Sequence, residues 1–152
     1  MKECGDCALC CKLIEVLPLD KPAGKWCQHC TKQSCSIWKE RPRICRSYEC
    51  LWRLSEPMGE VLRPSNCHIV FELYEPEKTV VALVDQHYPE SWGKGEPLKL
   101  IKRMVMDGYT VWIMVGKDRH VMLPQGETQG SAVLRAQRAR NRVMEDGGSL
   151  VH

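Results

Sequence analysis

No apolar run in this chain of 152 residues approaches the roughly 20 residues that a membrane-spanning helix needs. A helical membrane span is excluded and no membrane partner is expected. Neither half has the basic excess of a dedicated nucleic-acid domain. Residues 1–67 hold eleven Lys/Arg against eight Asp/Glu, and residues 68–152 hold eleven of each. A nucleic-acid partner is therefore disfavoured. There is no internal repeat, no low-complexity tract and no glycine-rich strand-to-helix fingerprint of a nucleotide-type cofactor fold. Cysteine is missing altogether after residue 67. What remains is an ordinary globular balance, 43% apolar and 27% charged, which argues against wholesale disorder.

The ten cysteines are the exception, and nine of them lie within the first 50 residues. They are either the disulfides of a secreted chain or the metal ligands of a reduced one. Met1-Lys2-Glu3-Cys4 starts the cysteine motif at once, with no apolar stretch of a leader before it. A cytoplasmic address is the expectation, and in that compartment thiols stay reduced and clustered cysteines bind metal or catalyse.

Composition divides the chain near residue 67. Residues 1–67 read as a cysteine-rich metal-binding module, with three of the five tryptophans, five of the nine prolines and only short apolar periodicities. Such a segment buries little core and needs a staple. Residues 68–123 read as a small α+β part. Ile69, Phe71 and Leu73 alternate with Val70, Glu72 and Tyr74; a turn at Glu75-Pro76-Glu77 leads into the β-branched run from Thr79 to Val84. A helix opens at Pro97, with Leu98, Ile101 and Val105 on one face, and stops at Gly108. Alternation resumes from Tyr109 to Val115, and Gly116-Lys117-Asp118-Arg119 turns the chain into a strand ending near Leu123. The order is β-β-α-β-β, most simply an antiparallel sheet with one helix on it. Residues 124–152 add a helix over 131–145, with Ala132, Ala136, Ala139 and Val143 on one face, a Gly147-Gly148 stop and a loose tail. The predicted fold class is α+β, with the irregular, metal-stapled module in front.

The first motif is Cys4-Gly-Asp-Cys7-Ala-Leu-Cys10-Cys11. Two intervening residues let a tight turn aim two sulfurs at one metal. Cys27-Gln-His-Cys30, Cys35, Cys45 and Cys50 follow. Adjacent side chains diverge, so Cys10 and Cys11 serve different metals, or one ligates and the other packs. Two assignments stay open. Tetrahedral zinc takes four Cys/His ligands, so eight or nine would fill two closed structural sites; this is the first choice, because such sites staple a poorly cored segment directly. The alternative is a [4Fe–4S] cluster with a redox or accessory role, suggested by the C-x2-C-x2-C spacing of Cys4, Cys7 and Cys10. A zinc-dependent adaptor for nucleic acid or an unidentified protein partner comes third.

Cys4 to Cys11, then Cys27, then Cys35-Ser-Ile-Trp38, then Arg41-Pro-Arg-Ile-Cys45-Arg-Ser-Tyr48 together resemble the YkgJ-type cysteine-cluster family of zinc- or iron-chelating CxxCxxCC proteins. The resemblance covers residues 4–50 and implies Cys4, Cys7, Cys10, Cys11, Cys27, Cys35, Cys45 and Cys50 as ligands. Trp38 stands where the family has Tyr, Tyr48 where it has Phe, and Cys30 is extra to the pattern. Cys30 and His29 are further candidates, His29 because imidazole suits zinc. Cys67 stands alone and reads as a packed thiol. Arg41, Arg43 and Arg46 read as neutralising a thiolate-rich site. His68, His87 and His120 read as ordinary histidines. Arg135, Arg138 and Arg142 read as a solvated helix face. No complete catalytic constellation is recognised, so an enzymatic role stays open and is not favoured.

Overall fold

The computed structural model describes residues 1–32 and 34–145. The front of the chain is built from loops and very short helices: α1 (Cys10–Leu13), α2 (Arg43–Ser47), α3 (Leu51–Leu54) and α4 (Pro64–Cys67). There follow β1 (Ile69–Tyr74), β2 (Thr79–Val84), α5 (Gly95–Met106), β3 (Thr110–Val115), β4 (Asp118–Met122) and α6 (Gln129–Glu145). The class is α+β. The Gly147-Gly148 stop and the loose tail expected after α6 lie outside the described residues.

The sheet runs β1-β2-β3-β4 in sequence order. Its two outer pairings are antiparallel, β1 with β2 and β3 with β4. The expectation of a wholly antiparallel sheet is corrected at the centre, where β2 and β3 are parallel, with Thr79 opposite Thr110 and Val84 opposite Val115. The physical reason is the connection between them. It contains α5, and a helix-bearing crossover returns the chain to the same end of the sheet, whereas an antiparallel neighbour needs only a short turn. Gly108 follows α5 at φ +88°, the left-handed backbone that a glycine stop supplies at little steric cost.

One face of the sheet carries the main core. Ile69 and Phe71 of β1, Val80, Ala82 and Val84 of β2, and Val111 and Ile113 of β3 pack with Ile101 of α5. Leu51, Trp52, Met58, Leu62 and Cys67 join the same cluster, so the core runs across residue 67. The other face of β1 is covered as well: Val70 packs on Leu9 and Leu13, with Tyr48, Cys50 and Leu83 against them. Glu72, two residues on, points the same way and is buried. The front segment therefore sits on the sheet with its cysteine-bearing helix α1 directly beneath Val70. On α6, Ala132 and Ala139 are buried. Arg142 pairs with Glu77 in the β1–β2 turn and Arg135 with Glu127, which removes two of the three arginines from a free basic face.

A buried ion pair fixes this docking. Lys12, next to Cys11, is 7% exposed and Asp85, just past β2, is 3% exposed. Lys12 Nζ donates to both carboxylate oxygens at 2.7 and 2.6 Å. The His87 backbone N–H donates to Asp85 Oδ1 at 3.0 Å. Burial alone would raise the Asp85 pKa, but these hydrogen bonds outweigh it and hold the carboxyl below its ordinary value. The folded carboxyl thus binds its proton less tightly than the unfolded one. Its contribution is complete above the ordinary carboxylate range and is lost as the pH falls through the folded pKa. Asp85→Asn leaves the Lys12 ammonium buried without a counter-charge, and the expected cost is about 3–5 kcal/mol. Urea unfolding midpoints check this. A variant within about 0.5 kcal/mol of the parent, as at an ordinary surface site, would contradict the role given to the pair.

Candidate metal centre

Local backbone geometry aims the thiols. The Cys7 N–H donates to the Cys4 carbonyl at 3.0 Å, closing a turn in which Gly5 sits at φ +56°. A side chain at Gly5 would also meet Arg63 Nη2 at 3.0 Å, so the position needs glycine twice over. Cys10 and Cys11 open α1, and successive helical residues point about 100° apart. The Cys27 N–H donates to the Cys11 carbonyl at 3.0 Å and the Cys30 N–H to the Cys27 carbonyl at 3.0 Å. Cys30 and Cys35 pair as an isolated β-bridge. Cys45 lies in α2, and Cys50 is the residue that caps α3.

These pieces enclose one cavity of about 620 Å³, lined by Cys4, Cys7, Cys10, Cys11, Cys27, Cys30, Cys35, Cys45 and Cys50. All nine clustered cysteines reach it, and all ten cysteines of the chain are free thiols. Cys67 does not line it. Its Sγ is buried in the core, 3.4 Å from the carbonyls of Leu62 and Ile69. His29 is not part of the wall either; its ring nitrogens lie 3.4 Å from Ser36 Oγ and 3.3 Å from Gln28 Nε2. A second, more open cavity of about 500 Å³ lies beside His68, Tyr88 and the start of α5, with Cys67 its one cysteine.

Charge around the thiols is uneven. Hydrogen bonding from Cys10 brings the Cys11 pKa down to about 6 against the pull of burial, helped by Cys30, Lys21 and Arg41. Cys10 is pushed well up by the same contact and by burial. Burial drives Cys50 up to about 11 and also raises Cys4 and Cys45. Without a cation in the cavity, Cys4, Cys10, Cys45 and Cys50 keep their protons.

Lys21 beside the cavity, Arg53 in its wall and Glu72 behind it were not singled out from the sequence. Lys21 is buried and donates to the carbonyls of Lys12, at 2.7 Å, and Ile14. Burial lowers its pKa, while the thiols of Cys27, Cys11, Cys10 and Cys45 act in the opposite sense. Arg41, Arg46 and Arg53 line the cavity; Arg43 is exposed and does not. Arg41 also stacks on the exposed Trp38 ring, 3.4 Å from its centroid. The Tyr48 hydroxyl is among the buried polar atoms without a hydrogen-bond partner. It is close enough to Glu72 to perturb it but outside hydrogen-bond geometry, and Glu72 instead accepts from Tyr74 Oη at 3.1 Å. Lys21 and Glu72 are buried only by the tertiary fold.

The donor set tests which metal group fits. Zinc in a closed site holds its four donors in one tetrahedral shell; among the described residues no three His, Cys, Asp or Glu side chains already stand in such a shell. An iron–sulfur cluster interposes iron and sulfide between its thiolates, so its ligands stand further apart around a wider space. Nine thiols on a cavity of about 620 Å³ with arginines at its wall are donors that either group takes. No protein-family model, curated protein or solved structure matches the chain.

The pKa pattern orders the reactivity of the metal-free protein. At pH 7 Cys11 is far more ionised than Cys50 or Cys67, so iodoacetamide labels it at least about tenfold faster than either. Its labelling rate reaches half of its maximum near pH 6. Peptide mapping of the alkylated protein reads the order, and equal labelling of Cys11, Cys50 and Cys67 would contradict it.

Proposed function

We propose that this chain is a metal-binding protein whose front cavity holds an iron–sulfur centre on clustered cysteine thiolates. The observation that carries the reading is that nine thiols face one cavity of about 620 Å³, room for the sulfide that a cluster places between its thiolates. Iron–sulfur clusters supply one-electron redox chemistry at a potential set by charge, hydrogen bonds to sulfur and exposure. This chain's own contribution is to hold the ligands, to offset their charge with Lys21, Arg41 and Arg53, and to shield the inner sulfurs behind Tyr48 and the sheet. No described helix is long and apolar enough to cross a membrane, and a thiol-bound centre of this kind fits a reducing compartment such as the cytoplasm.

Two zinc ions are the second reading. It is favoured by the run of interacting sulfurs from Cys10 through Cys11 to Cys30, the start of a compact thiolate shell.

Purification without air and without added metal separates the readings. The expected protein is brown and contains iron and acid-labile sulfide. A colourless protein with about two zincs per chain would replace the first reading by the second; a folded protein with neither metal would overturn both. Cys7→Ser is expected to deplete metal and expose residues 1–50 to protease, whereas Cys67→Ser keeps the full content.

A further inference from the structure

The loop that carries Cys27, Cys30 and Cys35 is charged unlike the rest of the chain. Residues 21–46 hold seven Lys/Arg and a single acid, Glu40, while the remainder of residues 1–67 holds four Lys/Arg against seven Asp/Glu. A count by halves conceals this run. Lys21 is buried, and Arg41 and Arg46 line the cavity, so these three are placed to offset thiolate charge. Lys25, Lys32, Lys39 and Arg43 are exposed and stand outside the wall. Among the described residues no carboxylate pairs with any of these four, whereas Arg53, Arg63, Arg135 and Arg142 each have one.

The fold gathers the surplus on a hairpin. The Ser36 N–H donates to the His29 carbonyl at 2.9 Å, Cys30 and Cys35 pair across the stem, and the Thr31 N–H donates to the Ser34 carbonyl at 3.0 Å. Lys32, at φ +69°, sits at the tip. One arm runs back to Lys25 and Trp26, the other on to Trp38 and Lys39. Both of these tryptophans are exposed, Trp26 by 45% and Trp38 by 60%; the other three are buried or half-buried. The Arg41 guanidinium lies on one face of Trp38, 3.4 Å from the ring centroid, and Arg41 Nε donates to the Trp38 carbonyl at 3.0 Å. One face of the ring is thus backed by a cation, and the other is a flat platform open to solvent.

Unpaired cations select an anionic partner, and exposed flat rings select one with planar groups to stack. A single-stranded nucleic acid has both, in its phosphates and its unpaired bases. A duplex offers the phosphates but keeps its bases stacked on one another. An acidic protein offers the charge, but its interface needs a fuller apolar centre than two separate rings supply. We propose that this hairpin is a binding site for single-stranded nucleic acid. Lys25, Lys32, Lys39 and Arg43 meet the phosphates, Trp38 on its Arg41 support stacks on a base, and Trp26 is the second platform. The site goes beyond the metal-binding reading and stands whichever metal shapes the loop.

The experiment is fluorescence anisotropy of labelled oligouridine and oligothymidine, each of about 12 nucleotides, with the full chain purified without air. The parent is expected to bind, and to bind at least about tenfold more weakly when salt rises from about 50 to about 200 mM. Trp38→Ala weakens binding at least about fivefold at an unchanged salt slope, and Trp38→Phe, which keeps a ring, restores most of it. Lys39→Gln with Arg43→Gln weakens binding and flattens the salt slope. Arg138→Gln with Arg140→Gln, on the exposed side of α6, leaves both unchanged. A parent that binds neither oligonucleotide overturns the proposal. So does a Trp38→Ala protein, or a Lys39→Gln, Arg43→Gln protein, that binds as the parent does. Equal affinity for a duplex of the same length overturns the single-strand assignment, and equal affinity for polyglutamate gives the surface to an acidic protein instead.

Discussion

Nine thiols that face one cavity cannot all ionise there unless cations come with them. Burial and mutual repulsion hold Cys10, Cys50, Cys4 and Cys45 above the ordinary thiol range, and only Cys11 falls to about 6. A bound metal reverses that balance: it takes the thiolate form, releases the protons and adds its binding free energy to folding. The surrounding segment needs that contribution. Its helices span four or five residues each, too short to persist on hydrogen bonds alone, and much of its wall is loop.

The sheet supplies what the front segment lacks, a rigid base. Three contacts join them. Val70 packs on Leu9 and Leu13, the Lys12–Asp85 pair locks the end of α1, and the Tyr48 ring closes over the buried Glu72 side of β1. Each lies next to a cavity cysteine in sequence: Leu9 and Lys12 flank Cys10 and Cys11, and Tyr48 precedes Cys50 by two residues. Fold stability and thiol placement are therefore coupled. The strand that packs the core on its Ile69 and Phe71 face carries the cysteine wall on its Val70 and Glu72 face.

Much of this was legible in the chain. Strand alternation, the helix ended by Gly108 and the CxxCxxCC spacing each follow from local chemistry, and the cysteines that the spacing grouped all reach one cavity. What local chemistry does not carry is pairing and second-face burial. Parallel pairing of β2 with β3 depends on where α5 returns the chain, a tertiary outcome. The alternation of β1 says that it is a strand and not what covers its Val70 and Glu72 face, which is a segment some twenty residues or more earlier in sequence. Nothing in the local sequence marks Lys21, whose burial depends on the fold that brings it to the Lys12 and Ile14 carbonyls. His29 lay at ligand spacing, but its turn points the ring at Ser36 and Gln28.

The most direct measurement of the central idea is amide hydrogen exchange on the anaerobic protein before and after chelation. The account predicts that removing the metal strips protection from residues 1–50 while the amides of β1 to β3 stay protected. Equal exchange across residues 1–50 in the two states would show that the cysteine wall holds its shape without a cation, and would contradict it.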